Sequence, residues 1–289
     1  GIYYCWGSVA VAFVGSFTAQ IGDWVLTILI KPMQEDLGWS RSGIVGARAI
    51  SLLAGAATGP LIGKVVHRYG ARSIIVAAAL TQGVILLLLS RVTEQWHIYL
   101  LFFIHGAFIS ATLVGVAPPT AVANWFVQKR GRALAIALTG ASLGGSVFVV
   151  LGQYLVGIGG WRTAWLGLSI MPWIFSVIPV AMFMRRRPED MGLKPDGIEE
   201  QEAEKRTKAQ VGKTEPVKEV SWELGRAIRT SAFWLLAISS LLYDLSLFGF
   251  FLHIPSYITD VGFSPATAAI AMSLYSLALL PARFFWGFL

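Results

Sequence analysis

Asp36-Leu37-Gly38-Trp39-Ser40 returns 224 residues later as Asp260-Val261-Gly262-Phe263-Ser264. Each copy closes one long apolar run and precedes another. At the same offset Ala47 falls on Ala271, Ala54 on Ala278 and Gly63 on Gly287. Several matches at one offset, each at the same place along its run, mark an internal duplication. The repeat length implies six helices per copy. Residues 1–184 hold the first copy, 185–229 a charged linker, and 230–289 the start of the second. That second copy is expected to be truncated after its second helix.

Working outward, eight runs have the roughly 20 apolar residues that a helix needs to cross about 30 Å of hydrocarbon. They are Tyr3 to Ile30, Ser42 to Val66, Ser73 to Ser90, His97 to Ala123, Ala133 to Gly157, Arg162 to Met184, Ala232 to Ile258 and Pro265 to Leu289. None alternates as a barrel strand would, and in lipid a helix satisfies its own backbone. The predicted fold is an all-α polytopic membrane protein: a six-helix N-terminal bundle plus the first two helices of a C-terminal one. The first run is too long for a cleaved signal and lacks a basic leader. The opening Gly1 suggests a trimmed start.

Composition agrees. Of the 289 residues 55% are hydrophobic and only 13% charged, about half the charge of an ordinary soluble domain. The charges sort by side. Lys64, Arg68 and Arg72, then Lys129, Arg130 and Arg132, then the linker's basic residues lie on one side; Lys31, Arg41, Arg91 and Arg162 lie on the other. The positive-inside rule puts the first set and the linker in the cytoplasm, with the chain spanning the cell (inner) membrane. The net charge of +7 is then topological, and no nucleic-acid partner is needed. Trp39, Trp96 and Trp161 mark the expected outer boundary, and Trp6, Trp125 and Trp222 the inner. The linker mixes both signs with few large apolar groups and reads as solvated, with Val220 to Arg229 as a short amphipathic helix. One cysteine, Cys5, excludes an internal disulfide.

An ionisable side chain inside a span is a functional candidate because burial in lipid is costly. Six qualify: Asp23, Arg48, His105, Asp244, His253 and Arg283. Arg283 carries a planar guanidinium that can grip a carboxylate with two parallel hydrogen bonds, or else pair with an acidic residue. Asp23 and Arg48 reach similar depth on adjacent spans, so they fit a structural ion pair. Asp23 also belongs to a polar stripe, Ser16, Gln20, Asp23 and Thr27, which shares one helix face and fits a wet cavity with proton coupling or substrate contact. Asp244 and His253 sit half a turn out of phase. The repeat maps Asp244 onto Gln20, whereas the stripe Tyr243, Ser246, Phe250, His253 and Tyr257 presents a histidine suited to proton exchange. His105, beside Gly106, reads as a hydrogen-bonded packing residue. Gly55, Gly59 and Gly63, and Gly140 and Gly144, read as close-packing seams. Pro118-Pro119 should kink or unwind span 4. No metal, phosphate-loop or nucleophile constellation appears, so neither cofactor nor enzyme is expected.

Two parallel six-helix halves with a midplane site are a transporter design, and specific motifs sharpen it. Gly63-Lys-Val-Val-His-Arg-Tyr-Gly-Ala-Arg72 resembles the signature loop Gly-x-x-x-Asp-Arg-x-Gly-x-Arg of the major facilitator superfamily, with His67 at the Asp position. Trp125 to Ala133 and Gly160-Trp-Arg162 are also similar. Within the superfamily the chain resembles the monocarboxylate porters and oxalate/formate exchangers, through Trp125 to Gly140, Arg187 to Gly197 and Pro281-Ala-Arg-Phe-Phe-Trp-Gly287. That resemblance implies a carboxylate-binding role for Arg283 and a gating role for Gly63, His67, Arg68, Gly70 and Arg72. The group's acidic residue one turn before the arginine is Leu279 here, and its helix-1 lysine falls near Leu26, so proton handling does not carry across.

The expectation is a secondary transporter, monomeric in the bilayer, moving a small organic anion by alternating access with protons. Arg283, His253, Asp23 and Thr27 are the expected substrate contacts, and Asp23, Asp244 and His253 the coupling candidates. The alternatives are an exporter of amphipathic compounds and a non-transporting metabolite sensor.

Overall fold

Apolar stretches wind into helices that carry Pro32, Pro60, Pro255 and Pro281 inside them, and Gly38, Gly70 and Gly262, each at positive φ, mark where three of them stop. In the computed structural model, which describes residues 2–126, 129–184 and 224–288, α1 (Ile2–Ala19) passes through a single turn residue, Gln20, into α2 (Ile21–Leu37). Then come α3 (Arg41–Tyr69), α4 (Ala71–Leu89) and α5 (Gln95–Ile104). A π-helical stretch, His105–Val116, connects α5 to α6 (Ala117–Trp125). α7 (Arg130–Ser169), a short π turn at Trp173–Val177 and α8 (Ile178–Phe183) complete the first copy. After the linker stand α9 (Leu224–Ala227), α10 (Ser231–Asp260) and α11 (Pro265–Phe288).

Six of these helical stretches are long and apolar enough to cross a membrane: Trp6–Leu37, Arg41–Tyr69, Ala71–Leu89, Gln95–Trp125, Arg130–Phe183 and Pro265–Arg283. The 54 residues of Arg130–Phe183 are twice one crossing. They divide at Gly159 and Gly160, the latter at φ 78°, where the helix loses its regular backbone. The chain folds back there, so that Gly167 packs on the Leu155 side chain. Spans five and six therefore meet at the Gly160-Trp-Arg162 turn.

The five-residue repeat has the same backbone form twice. α2 ends on Gly38 at φ 67°, whose N–H donates to the Gln34 carbonyl, and α10 ends just before Gly262 at φ 97°. Ser40 then accepts from the Gly43 N–H at 3.1 Å, and Ser264 from the Thr267 N–H at 3.1 Å. A left-handed glycine stops one helix and a serine N-cap starts the next. The first helix thus runs to Leu37, past the Ile30 boundary expected from hydropathy, because the glycine rather than the lipid depth ends it.

The described residues fall in two compact units, Gly1–Gly197 with Pro255–Leu289, and Ile198–Ile254. In the first, α7 lies against α1 and α11. A Cβ on Gly140 or Gly144 would strike the backbone of Phe13 or Phe17, which confirms that seam. The span 2 seam is shorter than expected: Gly55 abuts the Gly106 carbonyl, but Gly59 and Gly63 have nothing within 4 Å. Trp125 and Trp161, at a helix end and beside the Gly159–Gly160 break, turn their indoles into the protein. Trp125 packs with Val9, Ala12, Val122, Phe126, Ala133 and Ala137, and Trp161 is 3% exposed, with its N–H on Asp36. Their indoles go to the core because a partner was available inside. The linker, Trp222 and Arg187 to Gly197 lie outside the described residues; of Val220 to Arg229 the single turn α9 is described.

Candidate functional site

The stripe on α1 and α2 faces inward: Ser16, Gln20, Asp23 and Thr27 are all buried. Gln20 accepts the Trp24 indole N–H at 2.8 Å, and Thr27 donates to the Trp24 carbonyl at 2.7 Å. Asp23 sits about 12 Å inside Lys31 at the helical rise per residue. Arg48, seven residues into α3, reaches the same layer, and its Nη2 donates to Asp23 Oδ2 at 3.0 Å. The pair is 8% and 4% exposed. The expected ion pair is formed.

A third ionisable group joins it. His105, 1% exposed, sets Nδ1 4.0 Å from Asp23 Oδ1 and 3.5 Å from the Ser110 hydroxyl. Asp23 Oδ1 and His105 Nε2 are buried without a hydrogen-bond partner. Two glycines make the approach possible. A Cβ on Gly22 would lie 2.5 Å from His105 Nε2, and one on Gly106 would collide with the Ser51 backbone of α3. The π-helical stretch begins at His105, upstream of Pro118 and Pro119, which have no N–H to offer residues 114 and 115. The unwinding expected from those prolines is present as wide turns. His105 is packed, as the sequence suggested, but its place beside Asp23 and Arg48 was missed. Depth arithmetic on span 4, ten residues from Gln95, was the available signal.

Arg283 projects from α11 to α7, where its guanidinium donates to the Leu138 carbonyl. Leu138 is eight residues from Arg130, about 12 Å in from that end of α7. The α7–α11 contact continues through Ser146 and Ser273, whose hydroxyls lie 2.5 Å apart, and through Ser276, which donates to the Ser142 carbonyl at 2.6 Å. Arg283 and Asp23 therefore occupy opposite halves of the bundle. Thr27 is separate again: it lines a cavity of about 210 Å³ with Lys31, Glu35, Gln153, Ser256 and Thr259. His253 is exposed on α10, and Asp244 lies on the same helix with its side chain outside the described residues.

Charged groups close the end at which α2 hands over to α3 and α10 to α11. Asp260 accepts from Arg41 at 2.9 Å and Lys31 at 3.2 Å, and these hydrogen bonds, Arg41's foremost, hold its carboxyl below the usual carboxylate range. Asp36 takes Arg162 and the Trp161 indole instead. At the opposite end Gly70, φ 85°, caps α3, and Arg72 donates to the Ala181 carbonyl. Arg68 stacks over Tyr69 at 5.4 Å, and His67 is exposed. Among the described residues no three His, Cys, Asp or Glu side chains gather to hold a metal ion.

The sequence profile of the Major Facilitator Superfamily matches residues 12–289. The chain belongs to the Major Facilitator Superfamily. Members of this superfamily are transporters, not enzymes, and the chain is a multi-pass membrane protein. It is 30% identical over 143 residues to the MFS transporter asaE of Aspergillus flavus, covering 50% of this chain and 32% of that one. Human monocarboxylate transporter 2 is 26% identical over 165 residues, 57% of this chain and 34% of its own. The fujikurins efflux protein of Gibberella fujikuroi is 31% identical over 98 residues, 32% of this chain and 20% of its own. Each match takes in about a third or less of the relative's length.

Proposed function

We propose that the full-length protein is a secondary transporter of a small monocarboxylate or related organic anion, working by alternating access and coupled to protons. The observation that carries the reading is Arg283, a fixed positive charge placed on a membrane helix at the α7–α11 contact. A guanidinium matches a carboxylate in shape and charge. The likeness to monocarboxylate transporter 2 supports the same substrate class. The buried Asp23–Arg48 pair supports ion coupling on the N-terminal side. In this reading the basic loops and linker face the cytoplasm, the protein works as a monomer, and Asp23, Asp244 and His253 are the candidates for carrying the proton.

Uptake of labelled monocarboxylates by proteoliposomes holding the full-length protein, under an imposed pH gradient, tests this. Arg283→Ala should lower kcat/KM by about 10- to 100-fold, the worth of a hydrogen bond to a charged group. Unchanged uptake would remove Arg283 from the site, and a substrate without an anionic group would overturn the class. A second reading, export of amphipathic compounds, draws on the likeness to the fujikurins efflux protein. A deletion strain made sensitive to such compounds, with carboxylate uptake intact, would favour it.

A further inference from the structure

We propose that Asp23, Arg48 and His105 together form the transported proton's binding site, with the proton taken up between Asp23 Oδ1 and His105 Nδ1. This deepens the transporter reading and rests on it. The geometry is that of a pair left open on one side. A buried ion pair serving structure alone repays its desolvation by filling its remaining lone pairs. Here Arg48 is bonded to Oδ2, while Oδ1 has no hydrogen-bond partner and lies 4.0 Å from an imidazole nitrogen. His105 reaches that place only because Gly22 and Gly106 lack side chains and because the helix widens into π turns from His105 onward. Wide turns of this kind recur at functional sites.

The other ionisable groups stand away from this layer. On α2 to α5 and α7 the remaining charged side chains are near the helix ends or the Gly159–Gly160 break. Lys31, Arg41 and His97 are outward, and Lys64 and Arg72 inward. Arg283 is toward the inner end, at Leu138. Asp23, Arg48 and His105 thus face one another. With His105 neutral, the cluster holds one carboxylate and one guanidinium and has no net charge. A proton entering from the outer phase protonates the imidazole and raises the charge to plus one. The incoming anion balances that charge, which makes proton and carboxylate favour the same conformational state. Asp23 is then shared between imidazolium and guanidinium, and release of the proton returns it to Arg48.

Two readouts on the reconstituted full-length protein test the site. In pH-difference infrared spectroscopy the Asp23 carboxylate bands should move, with one midpoint, as His105 takes up its proton, and Asp23→Asn should abolish that signal. His105→Gln removes the ring that takes the proton and should abolish that pH response as well. Gly22→Ala keeps all three groups but crowds His105 at Nε2, and should shift the same midpoint. In transport, His105→Gln should lose accumulation driven by the pH gradient while retaining carboxylate exchange, which also shows that it folds. Gradient-driven accumulation intact in His105→Gln, or a pH-dependent carboxylate signal unchanged in Asp23→Asn, overturns the site. If the wild type moves no carboxylate, the transporter reading fails, and the infrared titration still decides whether these residues bind a proton.

Discussion

Asp36 and Asp260 hold the same position in the repeat yet take different partners: Asp36 binds Arg162 and Trp161, and Asp260 binds Lys31 and Arg41. The first contact lies within the six-helix copy. The second ties the Asp260 end of α10 back to α2 and to the start of α3. A duplicated sequence has kept its backbone caps and rewired its charges.

The Asp260 contacts make stability at this end of the bundle depend on acid. Its carboxyl is held below the ordinary value, so the stabilisation is present above the unfolded value near 4 and is lost as pH falls through the folded one. Asp260→Asn should therefore melt below the wild type at pH 7, with the gap closing as the pH drops beneath about 4. Thermal unfolding in detergent across that range measures it. A gap independent of pH would show that the charge plays no part.

Arg48→Ala should be costly because it strands a buried carboxylate. Removing one partner of a buried pair costs about 3–5 kcal/mol. Asp23→Asn combined with Arg48→Gln should recover much of that loss, as read from melting temperature and folded yield. Additive losses in the double variant would mean the two residues do not interact.

Two glycines on different helices should answer oppositely to the same methyl group. Gly140→Ala drives a Cβ into the Phe13 backbone, and overpacking of this kind costs about 1–3 kcal/mol. Gly59→Ala meets nothing within 4 Å and should gain up to about 1 kcal/mol from helix propensity. Melting temperatures of the two variants decide it.

The repeated caps should share their sensitivity. Gly38→Ala and Gly262→Ala each place a side chain in the left-handed region, at about 1–2 kcal/mol, and asparagine should recover part of it. Unequal losses would show that the two caps carry different loads in the fold.

The helices were legible because lipid demands long apolar runs, and the repeat was legible because Asp36 to Ser40 and Asp260 to Ser264 each encode a stop and a restart. The Asp23–Arg48 pair followed from counting residues inward from the two ends. The cluster's third member did not, since His105 comes to Asp23 across a helix widened into π turns, and no periodicity announces that widening. Pro118-Pro119 signalled a disturbance without its length. Trp125 and Trp161 stand at a helix end and at the helix break, but their burial was not legible: an indole suits either an interface or a core, and only Asp36 and the small residues opposite decide which. The glycines of span 2 carried the spacing of a packing seam, but spacing does not reveal where the neighbouring helix diverges.

The absent side chain at position 22 has a consequence that reaches beyond this one chain. Because His105 Nε2 fills the volume a methyl would take there, the two positions are bound by a size exchange. Among descendants of the same ancestor, a larger residue at 22 should be accepted only alongside a smaller one at 105, so that the two columns change together, although 83 places separate them in sequence.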